Sequence, residues 1–200
     1  LAMEFDQWMS VQRCEDMQRG PNGSTPFFAG MEVVIRKAEA RDVPQMLALV
    51  QELAAFEREP EAVTVTEAEM LDAGFGEKPV WFGWVAEVPV GSGKLAVDGG
   101  SPIIVGMAVC YTRYSTWRGR TIYLEDIVVT DAARGRKVGE RLFRECVKHA
   151  VANDHNWMRW QVLDWNTDAI RFYERFGASI SPGWLNGELT KDQLKQLAAQ

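Results

Sequence analysis

Residues 123–139 read YLEDIVVTDAARGRKVG, and the fold follows from how that stretch divides. Its first half is a β-branched, apolar run interrupted by two adjacent acids, Glu125 and Asp126. Apolar side chains on both faces mark the run Ile122 to Val129 as a central strand of a sheet covered by helices on either side. Its second half is a basic, glycine-punctuated turn, Arg134, Gly135, Arg136, Lys137, Val138 and Gly139. From Gly135 a helix follows, with Val138, Leu142, Cys146 and Ala150 on one stripe, fading at Asn153 and Asp154. A crossover of that length leads to the next strand, Trp157 to Leu163, and predicts a right-handed β-α-β unit with parallel pairing.

The rest of the chain extends the sheet. Glu32 to Arg36 is a short β-rich run, and Asp42 and Pro44 open a helix that reads to about Glu57, with Leu47, Val50 and Ala54 on its apolar face. Thr66 and Glu69 form a capping box for a second helix, which Gly74 is placed to end. Trp81 to Val88 and Ile103 to Tyr111 predict a hairpin joined by a long exposed loop at Pro89 to Pro102, and Tyr114 to Gly119 predicts the turn into the central strand. After Leu163, Asn166 or Thr167 caps a helix carrying Ile170, Tyr173 and Phe176, and Gly177 ends it. Ala178 to Ile180 and Leu185 to Leu189 are candidate final strands, and Thr190 with Gln193 caps a closing helix to Ala199. The order predicts an α/β (α+β) fold, a mixed central sheet flanked by helices on both faces.

Composition bounds the partners. A formal net charge of −6 over 200 residues argues against nucleic acid and anionic membranes as partners, so the basic turn must be selective. Three widely spaced cysteines, Cys14, Cys110 and Cys146, lie in no zinc-like spacing with His149 or His155; no metal is expected, and a reducing, cytoplasmic setting fits best. No apolar run is long enough to predict a membrane span. A breaker cluster from Gly20 to Pro26 sets a boundary near Gly30. Residues 1–30 read as an expression leader or loose arm, or else as a docking or swapping segment; residues 31–200 form the domain, and Met31 is a suitable native start.

Four features carry chemistry, each beside an ordinary reading. The turn at Arg134 begins a helix, where unpaired backbone N–H groups, the macrodipole and cationic side chains favour a phosphate-bearing ligand. It matches neither the P-loop nor the dinucleotide spacing, and an exposed basic turn without ligand has the same sequence. Glu125 and Asp126, as successive strand residues, are expected on opposite faces, which excludes a pair sharing one proton. A carboxylate in so apolar a strand is either a general base with raised pKa or half of an ion pair with arginine. Tyr173 is either a core aromatic or a proton donor. The acidic run Phe56 to Glu61 is either a solvated helix end or a rim for a cation.

These features occur together in a known pattern. From about Val34 to Ala199 the chain resembles the GNAT superfamily of acyl-CoA N-acetyltransferases, through the Arg134 to Gly139 turn and the Asn166 to Ala178 helix. Within it, the phrases QELAAFE, DAGFGEKP, YLEDIVV, VLDWN and RFYERFGA resemble the spermidine/spermine and thialysine N-acetyltransferase group. The resemblance implies transfer of acetyl from acetyl-CoA to a primary amine of a small molecule (a diamine, polyamine or thialysine-like amino acid) by direct attack. The other readings are a CoA-binding regulatory module without turnover and a protein N-acetyltransferase. By the same resemblance, the backbone of Ile127, Val128 and Val129 would align the pantetheine arm, Arg134 to Gly139 would hold the pyrophosphate, and Asn166 would touch the cofactor. Glu125 would be the general base and Tyr173 the general acid, with Glu57, Trp117 and Trp184 lining the amine pocket. A homodimer is expected on the same ground. Lys137 replaces a usual glycine of the turn, Ser115 a usual acid and Phe56 a usual tyrosine, and the Ser115 change weighs against strict polyamine specificity.

Overall fold

The computed structural model describes residues 32–89 and 102–199. The leader or arm at residues 1–30, Cys14 and nearly all of the predicted loop at Pro89 to Pro102 lie outside them. The chain divides into two compact units, one ending at Trp160 and the other beginning at Gln161.

In the first unit, five strands run in the order β1 (Val34–Lys37), β2 (Phe82–Val88), β3 (Ile103–Ser115), β4 (Gly119–Val129) and β5 (Trp157–Arg159). The first four pair antiparallel, and β4 pairs with β5 in parallel, as the crossover length predicts. The β3–β4 hairpin runs further than its apolar stretch suggests, because Thr112, Arg113 and Tyr114 continue the ladder opposite Ile122, Thr121 and Arg120. Conversely β5 is shorter than Trp157 to Leu163, its ladder ending at Tyr123↔Arg159.

Helix α1 (Val43–Phe56) lays Val43, Met46, Leu47 and Leu49 on one face of the sheet, against Val85, Met107, Val109 and Val128. Helix α3 (Val138–Ala152) covers the other face, where Cys146 of the helix meets Cys110 of β3 with sulfurs 3.6 Å apart. Both thiols are buried, in keeping with Cys146 as a core residue, and the mixed sheet with helices on both faces is the one the sequence predicts.

Two helix ends differ in detail. Helix α2 (Glu67–Phe75) forms the Thr66–Glu69 capping box but passes through Gly74 and ends at Gly76. Gly74 is needed for packing instead: a Cβ there would sit 2.2 Å from the Trp81 indole. Asp42 precedes α1 without capping it through its side chain; buried, it takes two bonds from the Arg36 guanidinium, which also reaches Glu87. Burial opposes ionisation of Asp42, yet Arg36 and the Glu39 N–H outweigh it and hold the carboxyl below its usual range.

The second unit holds α4 (Thr167–Glu174) and α5 (Lys191–Ala198). Asn166 caps α4 by accepting from the Ala169 N–H at 3.2 Å, and Thr190 with Gln193 makes the predicted capping box of α5. The strands predicted at Ala178 to Ile180 and Leu185 to Leu189 do not form; the backbone from 178 to 190 has no regular secondary structure. Apolar residues there find no ladder partner, and Leu185 is 97% exposed.

Candidate active site

The centre of the first unit's site is an irregularity in β4. Opposite β3, Leu124 pairs with Cys110 and Asp126 pairs with the next residue back, Val109, so Glu125 is one residue more than the ladder needs. This is a β-bulge, and it resets the alternation of side chains. Before it, Leu124 shares with Cys110 the face under α3. After it, Asp126 and Val128 share with Val109 and Met107 the face under α1. Tyr123 pairs with Tyr111, which lies two residues from Val109 in the regular strand β3 and so belongs to the α1 face as well. The Glu125 charge reaches that face, where, after burial, it raises the pKa of Tyr111, Tyr123 and Asp126. The expectation of plain alternation through Glu125 and Asp126 is therefore corrected: the bulge interrupts it between Leu124 and Asp126.

The α1 face is aromatic at one end and acidic at the other. The rings of Tyr111 and Tyr123 stack with centroids 5.1 Å apart, and Arg113 stands 5.9 Å from the Tyr123 centroid. Burial first, and then the Glu125 charge, raises the pKa of both phenols. Asp126 is pushed up to about 6, mainly by burial, then by the charges of Glu125 and Glu57. Glu57, the residue after α1, is itself raised by burial. The structure thus brings Glu57 of the acidic run to the same electrostatic neighbourhood as the strand acids. Tyr111 is the residue that sequence reasoning leaves out, and Asp126 is read there only as the neighbour of Glu125; their pairing across the bulge has no spacing signal, because a register slip creates it.

The turn beyond β4 is built as an open cradle. After the 3-10 turn Asp131–Ala133, Gly135 takes φ +76° and Lys137 takes φ +59°, and α3 starts at Val138 rather than Gly135. Nothing lies within 4 Å of where a Gly135 Cβ would project, so that face of the turn is clear. Lys137 is the exposed N-cap residue without a side-chain cap, leaving its ammonium outside the helix start. Val138 is buried and anchors the first turn. Arg134 folds back, its Nε donating to the Val129 carbonyl at 3.2 Å, its NH1 on Asp131 Oδ1 at 2.7 Å, its guanidinium 5.7 Å from the Phe56 centroid. Val128 faces the core, and Ile127 and Val129 are half-buried beside the part of β4 that has passed the end of β5.

The remaining predicted residues belong to other elements. Trp117 is 83% exposed at the tip of the β3–β4 hairpin, its N–H donating to Ser115 Oγ. In the second unit, Asn166 uses its oxygen as the α4 cap, Tyr173 is buried on α4, and Trp184 is 83% exposed in the irregular segment. Among the described residues, no helix is long and apolar enough to cross a membrane.

A central strand, a crossover helix and a basic cradle at that helix's start define the class: residues 47–178 match the profile described as the acetyltransferase (GNAT) family, and the chain belongs to that family. It is an acetyl-CoA-dependent N-acetyltransferase. Among its relatives, the thialysine N-epsilon-acetyltransferase of Bos taurus is 33% identical over 171 residues, 84% of this chain and 98% of the relative. The spermidine/spermine N(1)-acetyltransferase-like protein 1 of Homo sapiens is 35% identical over 170 residues, 82% of this chain but 23% of that longer protein. Of solved structures, an integron cassette protein from V. cholerae superposes with a TM-score of 0.62 at 19% identity, over 86% of this chain and all (100%) of its own. An aminoglycoside N-acetyltransferase in complex with CoA superposes at 0.59 and 15% identity, over 80% of this chain and 96% of its own. At such identities these superpositions speak to the fold alone.

Proposed function

We propose that the chain acetylates a primary amine of a small molecule, a diamine, polyamine or thialysine-like amino acid, by direct attack on acetyl-CoA. The observation that carries this reading is the bulge in the strand leading into the cradle, beside which the charges of Glu125 and Glu57 both bear on Asp126. An acidic, partly desolvated surface attracts an alkylammonium, and the relatives named above act, by their names, on small amines.

An alkylammonium with a pKa near ~10 cannot attack until it loses a proton. Glu125 is the acceptor of that proton, directly or through water. Backbone groups of Ile127 to Val129 align an extended ligand arm, and Arg134 leaves Asp131 to join Arg136, Lys137 and the N–H groups of Gly135 to Gly139 on the pyrophosphate. Lys137 supplies a charge in exchange for the glycine's conformational freedom. Acetyl-CoA, when bound, supplies the activated acyl group. Tyr173 donates a proton to the departing sulfur, Asn166 touches the cofactor, and Glu57, Trp117 and Trp184 border the amine. The protein works as a cytoplasmic homodimer with a small-molecule amine as its partner, without metal, nucleic acid or membrane.

The test is to titrate acetyl-CoA binding and then follow free-thiol release with a panel of amines. Release with a diamine or thialysine supports the reading. Binding without release for any amine leaves the regulatory module, and release with peptides alone leaves the protein N-acetyltransferase.

A further inference from the structure

Arg36, Arg134 and Arg144 each meet a carboxylate, at 2.7, 2.7 and 2.9 Å. Arg113 does not. Among the described residues its side chain forms no ion pair and no hydrogen bond, and its guanidinium lies 5.9 Å from the Tyr123 centroid. The register of β3 on β4 puts it there. Tyr111 and Arg113 are two residues apart and share a face, opposite Tyr123 and Thr121. The neighbouring positions of the ladder carry no opposite charge: Thr121 is across from Arg113, and Ser115 follows it on the same face, its hydroxyl oxygen accepting from the Trp117 and Arg118 N–H groups. Burial and the Glu125 charge raise the pKa of both stacked phenols, and the Arg113 charge opposes that rise in each. In strand order the site is therefore cationic at Arg113, aromatic at Tyr111 and Tyr123, and anionic at Glu125 and Asp126.

We propose that Arg113 binds the α-carboxylate of the acceptor, so that the amine acetylated here belongs to an amino acid of lysine or thialysine length rather than to a diamine or polyamine. This rests on the small-amine reading above and chooses among its substrate kinds. Tyr123, whose ring Arg113 covers, is two residues from Glu125, roughly 7 Å along a strand. Such an amino acid spans that interval with its amine at the acids and its carboxylate at the guanidinium. The planar fork of an arginine gives a carboxylate two parallel N–H···O bonds. A diamine would instead set its second ammonium against a guanidinium that has no acid beside it. Because Arg113 is exposed, solvent and salt screen both effects and keep the discrimination moderate.

Three amines separate the parts: thialysine, its amide, in which the carboxyl group is uncharged, and the diamine left when thialysine loses that group. Their kcat/KM values at saturating acetyl-CoA test the proposal. The natural protein should favour thialysine over the other two by about tenfold. Arg113→Gln should lower kcat/KM for thialysine about tenfold, through KM rather than kcat, and raise it for the diamine. Arg113→Lys, which keeps the charge without the fork, should keep part of the preference, and Arg113→Glu should reverse it. A natural protein that favours the diamine or the amide, or takes all three equally, overturns the proposal, as do parallel losses on all three amines in Arg113→Gln. If no amine is acetylated, the small-amine reading fails first. Calorimetric titration of thialysine and its amide into the natural protein with CoA then decides: tighter binding of thialysine that Arg113→Gln abolishes upholds the carboxylate site, and equal or absent binding overturns it.

Discussion

Glu125 and Asp126 meet at a bulge: Glu125 is the unpaired residue between Leu124↔Cys110 and Asp126↔Val109, and its charge helps to raise the Asp126 carboxyl. Adjacent strand residues ordinarily diverge. Here two like charges interact in a partly desolvated place, which costs stability whenever both are ionised.

That cost has a pH signature. With its carboxyl raised to about 6 in the folded chain, Asp126 ionises in the unfolded chain first, near ~3.9. The folded state therefore binds more protons in that window, and stability falls as pH rises from about 4 to 6. Asp126→Asn should be more stable than the natural protein by about 1–3 kcal/mol at pH 7.5 and no different below pH 4, as urea unfolding at the two pH values would read.

Glu125→Gln should lower kcat by about 10²–10⁴-fold, the range of a positioned proton acceptor. Tyr111→Phe removes a hydroxyl that the Glu125 charge influences and should lower kcat about fivefold without altering acetyl-CoA affinity, the size of one hydrogen bond to a charged group. Steady-state kinetics at saturating acetyl-CoA decide both. An unchanged rate in Glu125→Gln removes it from the reaction.

Tyr173 and Arg134 should separate chemistry from binding. Tyr173→Phe is expected to lower turnover by about 10²-fold with acetyl-CoA affinity retained. Arg134→Ala should weaken acetyl-CoA about tenfold or more while kcat at saturation changes little. The reverse pattern would exchange their roles.

Lys137 occupies the left-handed region at φ +59°, ψ +19° with its side chain exposed. A non-glycine residue there costs about 1 kcal/mol, so Lys137→Gly should keep or raise the melting temperature. If the ammonium reaches phosphate, the same variant weakens acetyl-CoA, more at low salt than at high. Melting scans and a salt series of binding titrations check the two halves.

Much of this architecture was legible from periodicity and capping. The apolar stripe of α3, the parallel β4–β5 pair and the Thr66–Glu69 and Thr190–Gln193 boxes are local patterns, and they formed where read. What escaped depends on neighbours. Whether Gly74 or Gly76 ends α2 is settled by the Trp81 indole lying across Gly74. Apolar runs such as Leu185 to Leu189 become strands only beside a strand, and in their own unit they have none. The Glu125 bulge is a register between strands, so the pattern YLED permits either arrangement of its acids. The candidate site was legible in its residue types and hidden in its geometry.

The parallel ladder between β4 and β5 stops at Tyr123, three residue pairs into an eleven-residue strand. From Leu124 to Val129 that margin of β4 has no neighbouring strand in its ladder among the described residues, and such a margin invites another chain to pair with it. The ligand proposed to lie along it would then also be its cover.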